Sequence, residues 1–367
     1  SMWVSNTATT VMMLPIALSV VRLLLPEDAQ EAGEDKAPAD PFPVALLLAI
    51  AYAASIGGLG TLIGTPPNAL LAGFMAESYD IHVGFAQWMT AGLPVVAVML
   101  VLAWALLTRL TFPVGGRRIG GAAAVIDAEL AELGPASRGE KLVAAVFLAT
   151  GTAWILRPLI AKQLPGVHLH DAAIAMTSAL ALFLIPVELG RGVFLMSWEW
   201  ARKLPWGVLI LFGGGLSLAS AIANSGLAAW IGDALSVFGA WPVIALVAAV
   251  IVVIIFLTEL TSNTATTAAF LPVVAALAIS VGQNPFLLVV PAALAASCAF
   301  MMPVATPPNA IVFGSGLVTI PQMVRAGFLL NLCGIVVITA LAYTLLLAVF
   351  GVDLGVLPDW AAKGRPG

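Results

Sequence analysis

Ser5-Asn6-Thr7-Ala8-Thr9-Thr10 recurs letter for letter as Ser262-Asn263-Thr264-Ala265-Thr266-Thr267. An apolar run with a proline follows each copy, at Leu14-Pro15 and at Leu271-Pro272. A second shared string comes later in each half, first as Thr65-Pro66-Pro67-Asn68-Ala69 and then as Thr306-Pro307-Pro308-Asn309-Ala310. Thr65 lies 58 positions after Thr7, and Thr306 lies 42 after Thr264. The excess of 16 is the length of an acidic linker at 26–41, which holds Glu27, Asp28, Glu31, Glu34, Asp35, Lys36 and Asp40. Two strings in the same order identify an internal repeat, in register apart from one insertion.

The chain around these strings is strongly apolar. Its 367 residues are 61% hydrophobic and 9% charged, against about 25% charged in an ordinary soluble domain. So few charges cannot cover a surface facing water, and the solvent for most of the chain is lipid. Net charge is −4 with no basic block, so nucleic acid is not an expected partner. Cys298 and Cys333 both lie in apolar runs and read as packing residues. The first residues have neither the basic region nor the cleavage site of a signal peptide. The chain opens on Ser1 inside a polar motif, and the expectation is that a natural N-terminal portion precedes it.

Apolar runs long enough to span a bilayer fall at 8–25, 43–79, 88–108, 142–158, 171–187, 205–223, 241–257, 265–281, 286–320 and 327–350. The stretch 224–239 is weaker and amphipathic, as an interfacial helix would be, and 122–133 reads as a surface helix. Arg109, Arg117, Arg118, Arg138 and Lys141 mark the loop 109–141, and Arg191, Arg202 and Lys203 mark 188–203. Such loops belong in the cytoplasm, with two spans between them. Trp88, Trp198, Trp200, Trp206 and Trp241 sit at span edges, where interfacial aromatics belong.

The prolines make the second string mechanical. Pro66 and Pro67 offer no amide hydrogen, which frees the carbonyls of Leu62 and Ile63 and predicts a helix break near Gly64-Thr65. The same argument frees the carbonyls of Pro303 and Val304 and predicts a break near Ala305-Thr306. Open backbone at membrane depth is tolerated only when buried in protein or lining a cavity. Paired interruptions in two halves point to a transporter binding site. Freed carbonyls and hydroxyls suit Na⁺, while helix N-termini with Asn and Thr side chains suit carboxylate oxygens. The sidedness above sends the first Ser-Asn-Thr in from the cytoplasm and the second from outside, if each is the tip of a re-entrant hairpin. The expected fold class is therefore an all-α polytopic membrane protein, an inverted-repeat transporter with two re-entrant hairpins and two interrupted helices.

No Arg, Lys or His lies near either signature, and the only acid is Glu259, in Thr258-Glu259-Leu260-Thr261. Proton coupling needs an intramembrane relay, for which one glutamate is a thin basis. A structural role at the hairpin turn and a direct role in transport both stay open for Glu259. His168-Leu169-His170-Asp171 reads as a solvated loop, Gly213-Gly214-Gly215 as close helix packing, and Met301-Met302 as core filler. No nucleophile-base-acid set is visible, so an enzyme is not expected.

At these motifs the chain resembles the divalent anion:sodium symporter family, which carries dicarboxylates, citrate and sulfate. Met2-Trp3-Val4 and Ser55-Ile56-Gly57-Gly58 strengthen the likeness, which covers 1–350. The resemblance implies that Asn6, Thr7, Thr65, Pro66, Asn263, Thr264, Thr306 and Pro307 bind substrate. It also implies one Na⁺ held by Ser1, Ser5, Asn6 and Gly64, and a second held by Thr258, Thr261, Asn263 and Ala305. Family membership further implies a multi-pass protein of the plasma or bacterial inner membrane, an elevator motion and a homodimer. Relative to the family, the N-terminal scaffold and the first arm of the first hairpin are missing. The segments then read as 1–108 (first-repeat tip and transport helices), 109–141 (linker), 142–239 (second-repeat scaffold), 240–350 (second-repeat transport helices) and 351–367 (extracytoplasmic tail). The leading function is sodium-coupled uptake of C4-dicarboxylates. A sodium-independent exchanger, a sulfate carrier and an anion channel are the alternatives.

Overall fold

A computed structural model describes residues 1–22, 40–115, 122–163, 170–204, 206–227, 230, 234 and 241–362. Most of the acidic linker, most of the interfacial stretch 224–239, His168 and the last residues of the tail lie outside the described residues.

The described residues are mostly helical. Among the described residues four helices are long and apolar enough to cross a membrane: Phe85–Thr111, Arg138–Gln163, Asn263–Ser280 and Ile320–Ala342. Five shorter apolar helices join them. The protein is an integral, multi-pass membrane protein. One departure from the all-α expectation is a small antiparallel pair, β1 (Pro186–Glu188) and β2 (Val193–Phe194), closed through Gly192 in the left-handed region.

By contacts the chain divides into two units, one of 1–83, 87–125 and 211–367, the other of 84–86 and 126–210. The first unit holds both copies of the repeat. In copy one, α1 (Asn6–Arg22) is followed by α2 (Phe42–Gly58), α3 (Pro66–Tyr79) and α4 (Phe85–Ala105). In the second unit, α6 (Arg138–Gln163) packs on α7 (Asp171–Leu184). Between these lies α5 (Ala122–Leu133), over the predicted surface-helix range. After α7 come the short α8 (Trp198–Ala201) and α9 (Gly207–Asn224). Copy two is α10 (Val243–Thr258), α11 (Asn263–Ser280), α12 (Phe286–Ala296), α13 (Pro307–Phe313) and α14 (Ile320–Ala342). Two short helices close the chain, α15 (Leu345–Phe350) and α16 (Asp359–Ala362).

The prolines act as expected, but the gaps are wider. Pro66 and Pro307 each open a helix behind an extended threonine, Thr65 (φ −144°, ψ 145°) and Thr306 (φ −141°, ψ 149°). A proline at the first helical position has no amide to waste and a preset φ. The preceding helices stop well before the predicted breaks, at Gly58 and at Ala296. The reason is that side chains, rather than the next helical turn, take up the loop backbone between them. The last predicted span also differs: it begins at Ile320, behind a Thr319/Gln322 capping box, and ends at Ala342 rather than running on to 350.

Burial follows from position. Every residue of α12 is buried, as befits a helix at the centre of the first unit. In the second unit α6 is apolar yet has no buried residue, so its side chains suit lipid or protein beyond the unit.

Candidate cation and substrate site

The first half-site starts at Ser5. Its hydroxyl accepts from the Ala8 amide (3.2 Å) and its carbonyl from the Thr9 amide (3.0 Å), which starts α1 at Asn6. Thr10 donates back to the Asn6 carbonyl at 2.9 Å. Among the described residues Asn6 Oδ1 is buried with no hydrogen-bond partner, as is Ser1 Oγ. Both lie on the Gly57-Gly58 end of α2. A Cβ at Gly58 would sit 2.6 Å from Asn6 Oδ1, and one at Gly57 would collide with Ser1 Oγ. A Cβ at Gly64 would collide with the Gly58 carbonyl. The loop is closed by Asn68, fully buried, whose Nδ2 donates to the carbonyls of Gly58 (3.1 Å) and Thr61 (2.7 Å). Thr61 Oγ1 donates to the Met2 carbonyl (2.5 Å), and Trp88 Nε1 to that of Leu59 (3.0 Å).

The second half-site repeats this arrangement. Thr266 N donates to the Ser262 carbonyl (2.8 Å) and Thr267 Oγ1 to that of Asn263 (2.7 Å). Asn309 Nδ2 donates to the carbonyls of Ala299 (3.2 Å) and Met302 (3.0 Å), reaching back ten and seven residues just as Asn68 does. Thr306 Oγ1 accepts from the Asn309 amide. Residues 62–68 and 303–309 share one burial pattern, with Ile63, Pro66, Val304 and Pro307 exposed and the rest buried. Thr258 Oγ1 lies 2.7 Å from Asn263 Oδ1 and 2.9 Å from the Ala296 carbonyl. One hydroxyl hydrogen cannot serve both oxygens.

The helices bearing the motifs pack crosswise. α1 lies on α2 and also on α13 of the other copy, while α11 lies on α12 and also on α3. This brings the motif-bearing helices of both copies into one bundle within the first unit. Thr65 and Thr306 are buried at their N-caps, Thr264 is half-buried and Thr7 is exposed. Ser1, Asn6 and Gly64 meet around Gly57-Gly58, and Thr258 meets Asn263. Ser5 stands apart as an exposed helix cap. Thr261 bonds the Leu257 carbonyl and Thr266 Oγ1, and Ala305 closes a turn onto Met302.

The family described as "Sodium:sulfate symporter transmembrane region" matches residues 1–350. The chain belongs to that family. It is 42% identical over 356 residues to the sodium-dependent dicarboxylate transporter SdcS of Staphylococcus aureus strain USA300, covering 96% of this chain and 68% of the relative. SdcS of strain MRSA252 gives the same identity and coverage.

For a member of the sodium:sulfate symporter family, the cargo cation has to find oxygen ligands, and the half-sites offer them. Buried polar atoms are nearly always paired. Asn6 Oδ1 and Ser1 Oγ lack a protein partner, and Thr258, Asn263 and Ala296 bring three oxygens together with too few hydrogens. Both patterns fit a small, hard cation. The Ala296 carbonyl and the loop-closing bonds of Asn68 and Asn309 were not foreseen from sequence. The two asparagines lie in the repeated string, but only the fold shows their amides turned back onto the loop. Among the described residues no group of three His, Cys, Asp or Glu is placed to hold a metal ion. Asp171 is not part of a solvated loop: its carboxylate pairs with Arg157 Nε at 2.8 Å and accepts from the Phe85 amide. Of the three glycines at 213–215, only Gly215 is in close packing, against Ala268.

Proposed function

We propose that this chain performs sodium-coupled uptake of small divalent anions, most readily C4-dicarboxylates such as succinate. The observation that carries this reading is the pair of matching, asparagine-tipped half-sites, one with unpartnered oxygens and the other with three oxygens sharing too few hydrogens, in a chain 42% identical to a sodium-dependent dicarboxylate transporter. One Na⁺ is held by Ser1, Ser5, Asn6 and the Gly64 backbone, the other by Thr258, Thr261, Asn263 and the Ala305 backbone. Asn6, Thr7, Asn263 and Thr264 donate to the substrate carboxylates, with Thr65, Pro66, Thr306 and Pro307 lining the same space.

The physical logic of coupling is charge neutralisation. Burying an isolated ion in a low-dielectric interior is prohibitive unless it is paired. The half-sites bond no basic side chain, so bound Na⁺ supplies the positive charge beside a divalent anion. A fully loaded site is close to neutral and crosses the bilayer cheaply, whereas a partly loaded one carries net charge and does not. The Ser-Asn-Thr tips are re-entrant and inverted with respect to each other. The segments 1–108 and 240–350 move as the carrier of an elevator, with 142–239 as scaffold in a homodimer.

The test is uptake of labelled succinate by the full-length protein in proteoliposomes, under an inward Na⁺ gradient or with K⁺ in its place. Saturable uptake that requires Na⁺ is expected. Equal uptake in Na⁺ and K⁺ identifies an exchanger instead. A second reading, sulfate, is favoured by the family description, and competition by sulfate in the same assay decides it.

A further inference from the structure

We propose that Glu259, together with Asn331, is a positioning residue that opens the second half-site for its cation, a device the first half-site lacks. The proposal rests on the cation assignment above and deepens it.

Glu259 is almost wholly buried, and both its oxygens are engaged. Oε1 accepts from the amides of Phe300 (2.7 Å) and Met301 (2.9 Å) and from Asn331 Nδ2 (2.7 Å). Oε2 accepts from the amides of Met301 and Met302, both at 3.0 Å. One carboxylate thus takes three successive backbone amides of the loop between α12 and α13, and ties them to α14.

The matching asparagine bonds show what occupies these places in the first half. Gly58 and Thr61 correspond to Ala299 and Met302, so Leu59 and Gly60 correspond to Phe300 and Met301. The Ser-Asn-Thr alignment puts Met2 opposite Glu259. Gly92 of α4 presses on the Leu59 carbonyl as Gly327 of α14 presses on that of Phe300, and four residues on, Val96 stands opposite Asn331. A Cβ at Gly60 would lie 3.5 Å from both Met2 Cβ and Val96 Cγ2. An apolar pair therefore packs on the first loop where a polar pair grips the second.

The consequence is in the backbone. In the first loop, the amides of Leu59 and Gly60 close turns onto the carbonyls of Ile56 (3.0 Å) and Gly57 (3.1 Å). In the second, the equivalent amides go to Glu259, so the carbonyls of Ser297 and Cys298 stay outside such turns. These carbonyls follow directly on that of Ala296, which accepts from the Thr258 hydroxyl that also meets Asn263. By occupying the donors, Glu259 holds the loop open and keeps oxygens oriented for the cation before it arrives.

The experiment uses the full-length protein in nanodiscs and proteoliposomes, as wild type, Glu259→Gln, and the double variant Glu259→Met/Asn331→Val that installs the first half-site's own pair. Hydrogen–deuterium exchange of the peptide covering 297–305 is measured without Na⁺, and succinate uptake is measured against Na⁺ and against succinate. Both variants are expected to exchange about tenfold faster there, and to need about tenfold more Na⁺ for half-maximal uptake, the effect of losing one charge-assisted bond. The succinate KM at saturating Na⁺ is expected to move by less than about threefold, a split that general loss of structure would not produce. Unchanged exchange in both variants overturns the proposal, as does an unchanged Na⁺ requirement in a sodium-dependent wild type. If the wild type itself ignores Na⁺, the symport reading fails, and the cation role of Glu259 falls with it.

Discussion

The two half-sites use the same words in different sentences. Each has a helix that starts behind a serine and bears Asn6 or Asn263, and each has an asparagine, Asn68 or Asn309, closing the loop behind it. They differ in what meets the tip asparagine. Asn6 lies against bare glycine, Gly58, with its Oδ1 unpartnered. Asn263 is met by the Thr258 hydroxyl, and Ala299 takes the place of Gly58. The duplication thus fixes where the functional side chains stand, while divergence adjusts how each is held.

Removing the tip asparagines tests what is shared. Asn6→Ala and Asn263→Ala each delete one cation oxygen and one substrate donor, so a loss of uptake on the order of a hundredfold or more is expected in both. Thermal melting of the Asn6 variant should stay close to wild type, because among the described residues Asn6 Oδ1 has no protein partner to lose, whereas the Asn263 variant also gives up the 2.7 Å bond from Thr258 and should melt slightly lower. Wild-type uptake in either variant would remove that half-site from the mechanism.

Adding one carbon tests what differs. Gly58→Ala puts a Cβ 2.6 Å from Asn6 Oδ1, far inside van der Waals contact, so Asn6 must move. A roughly tenfold to hundredfold loss of uptake is expected, since buried ligands tolerate little displacement. Gly73→Ala is the control: a Cβ there meets nothing within 4 Å, and uptake should be unchanged. Normal uptake by the Gly58 variant would show that the first tip is as tolerant as the second, which already carries alanine.

The loop-closing asparagines sharpen the comparison from the side of stability. Asn68→Leu leaves the carbonyls of Gly58 and Thr61 unpaired, and Asn309→Leu does the same to those of Ala299 and Met302. Each should destabilise by about 2–4 kcal/mol, read as a lower melting temperature in detergent. The losses should be similar in the two halves. A much smaller loss for Asn309 would mean that Glu259 alone holds the second loop.

Much of this was legible in the sequence. The repeated strings located the helix starts at Asn6, Pro66, Asn263 and Pro307, because the Ser5 cap and the N-terminal prolines act locally and Asn263 repeats the string of Asn6. The helix ends at Gly58 and Ala296 were not legible. Proline chemistry frees only the carbonyls three or four residues upstream. The wider gaps depend on Asn68 and Asn309 turning back ten and seven residues and on Glu259 reaching across the fold, and such bonds leave no periodic trace. The same holds for the partnership of Glu259 with Asn331, 72 positions away.

The smallest expected effect on uptake lies outside both half-sites and serves as their reference. In the second unit, Arg157 Nε pairs with Asp171 at 2.8 Å, Trp154 Nε1 donates to the Asp171 carbonyl, and Phe85 stacks on Trp154 at 4.8 Å. Both charged side chains are about three-quarters buried, and the paired atoms Arg157 Nε and Asp171 Oδ1 are themselves shut off from solvent. Arg157→Met retains the apolar stem but leaves the Asp171 carboxylate without its counter-charge, and should cost about 3 kcal/mol of stability. The Na⁺ concentration for half-maximal uptake should not move, because the bonds of Arg157, Asp171 and Trp154 named here stay within the cluster. A shift in Na⁺ requirement as large as that of a tip variant would mean that the two half-sites do not hold the cation affinity by themselves.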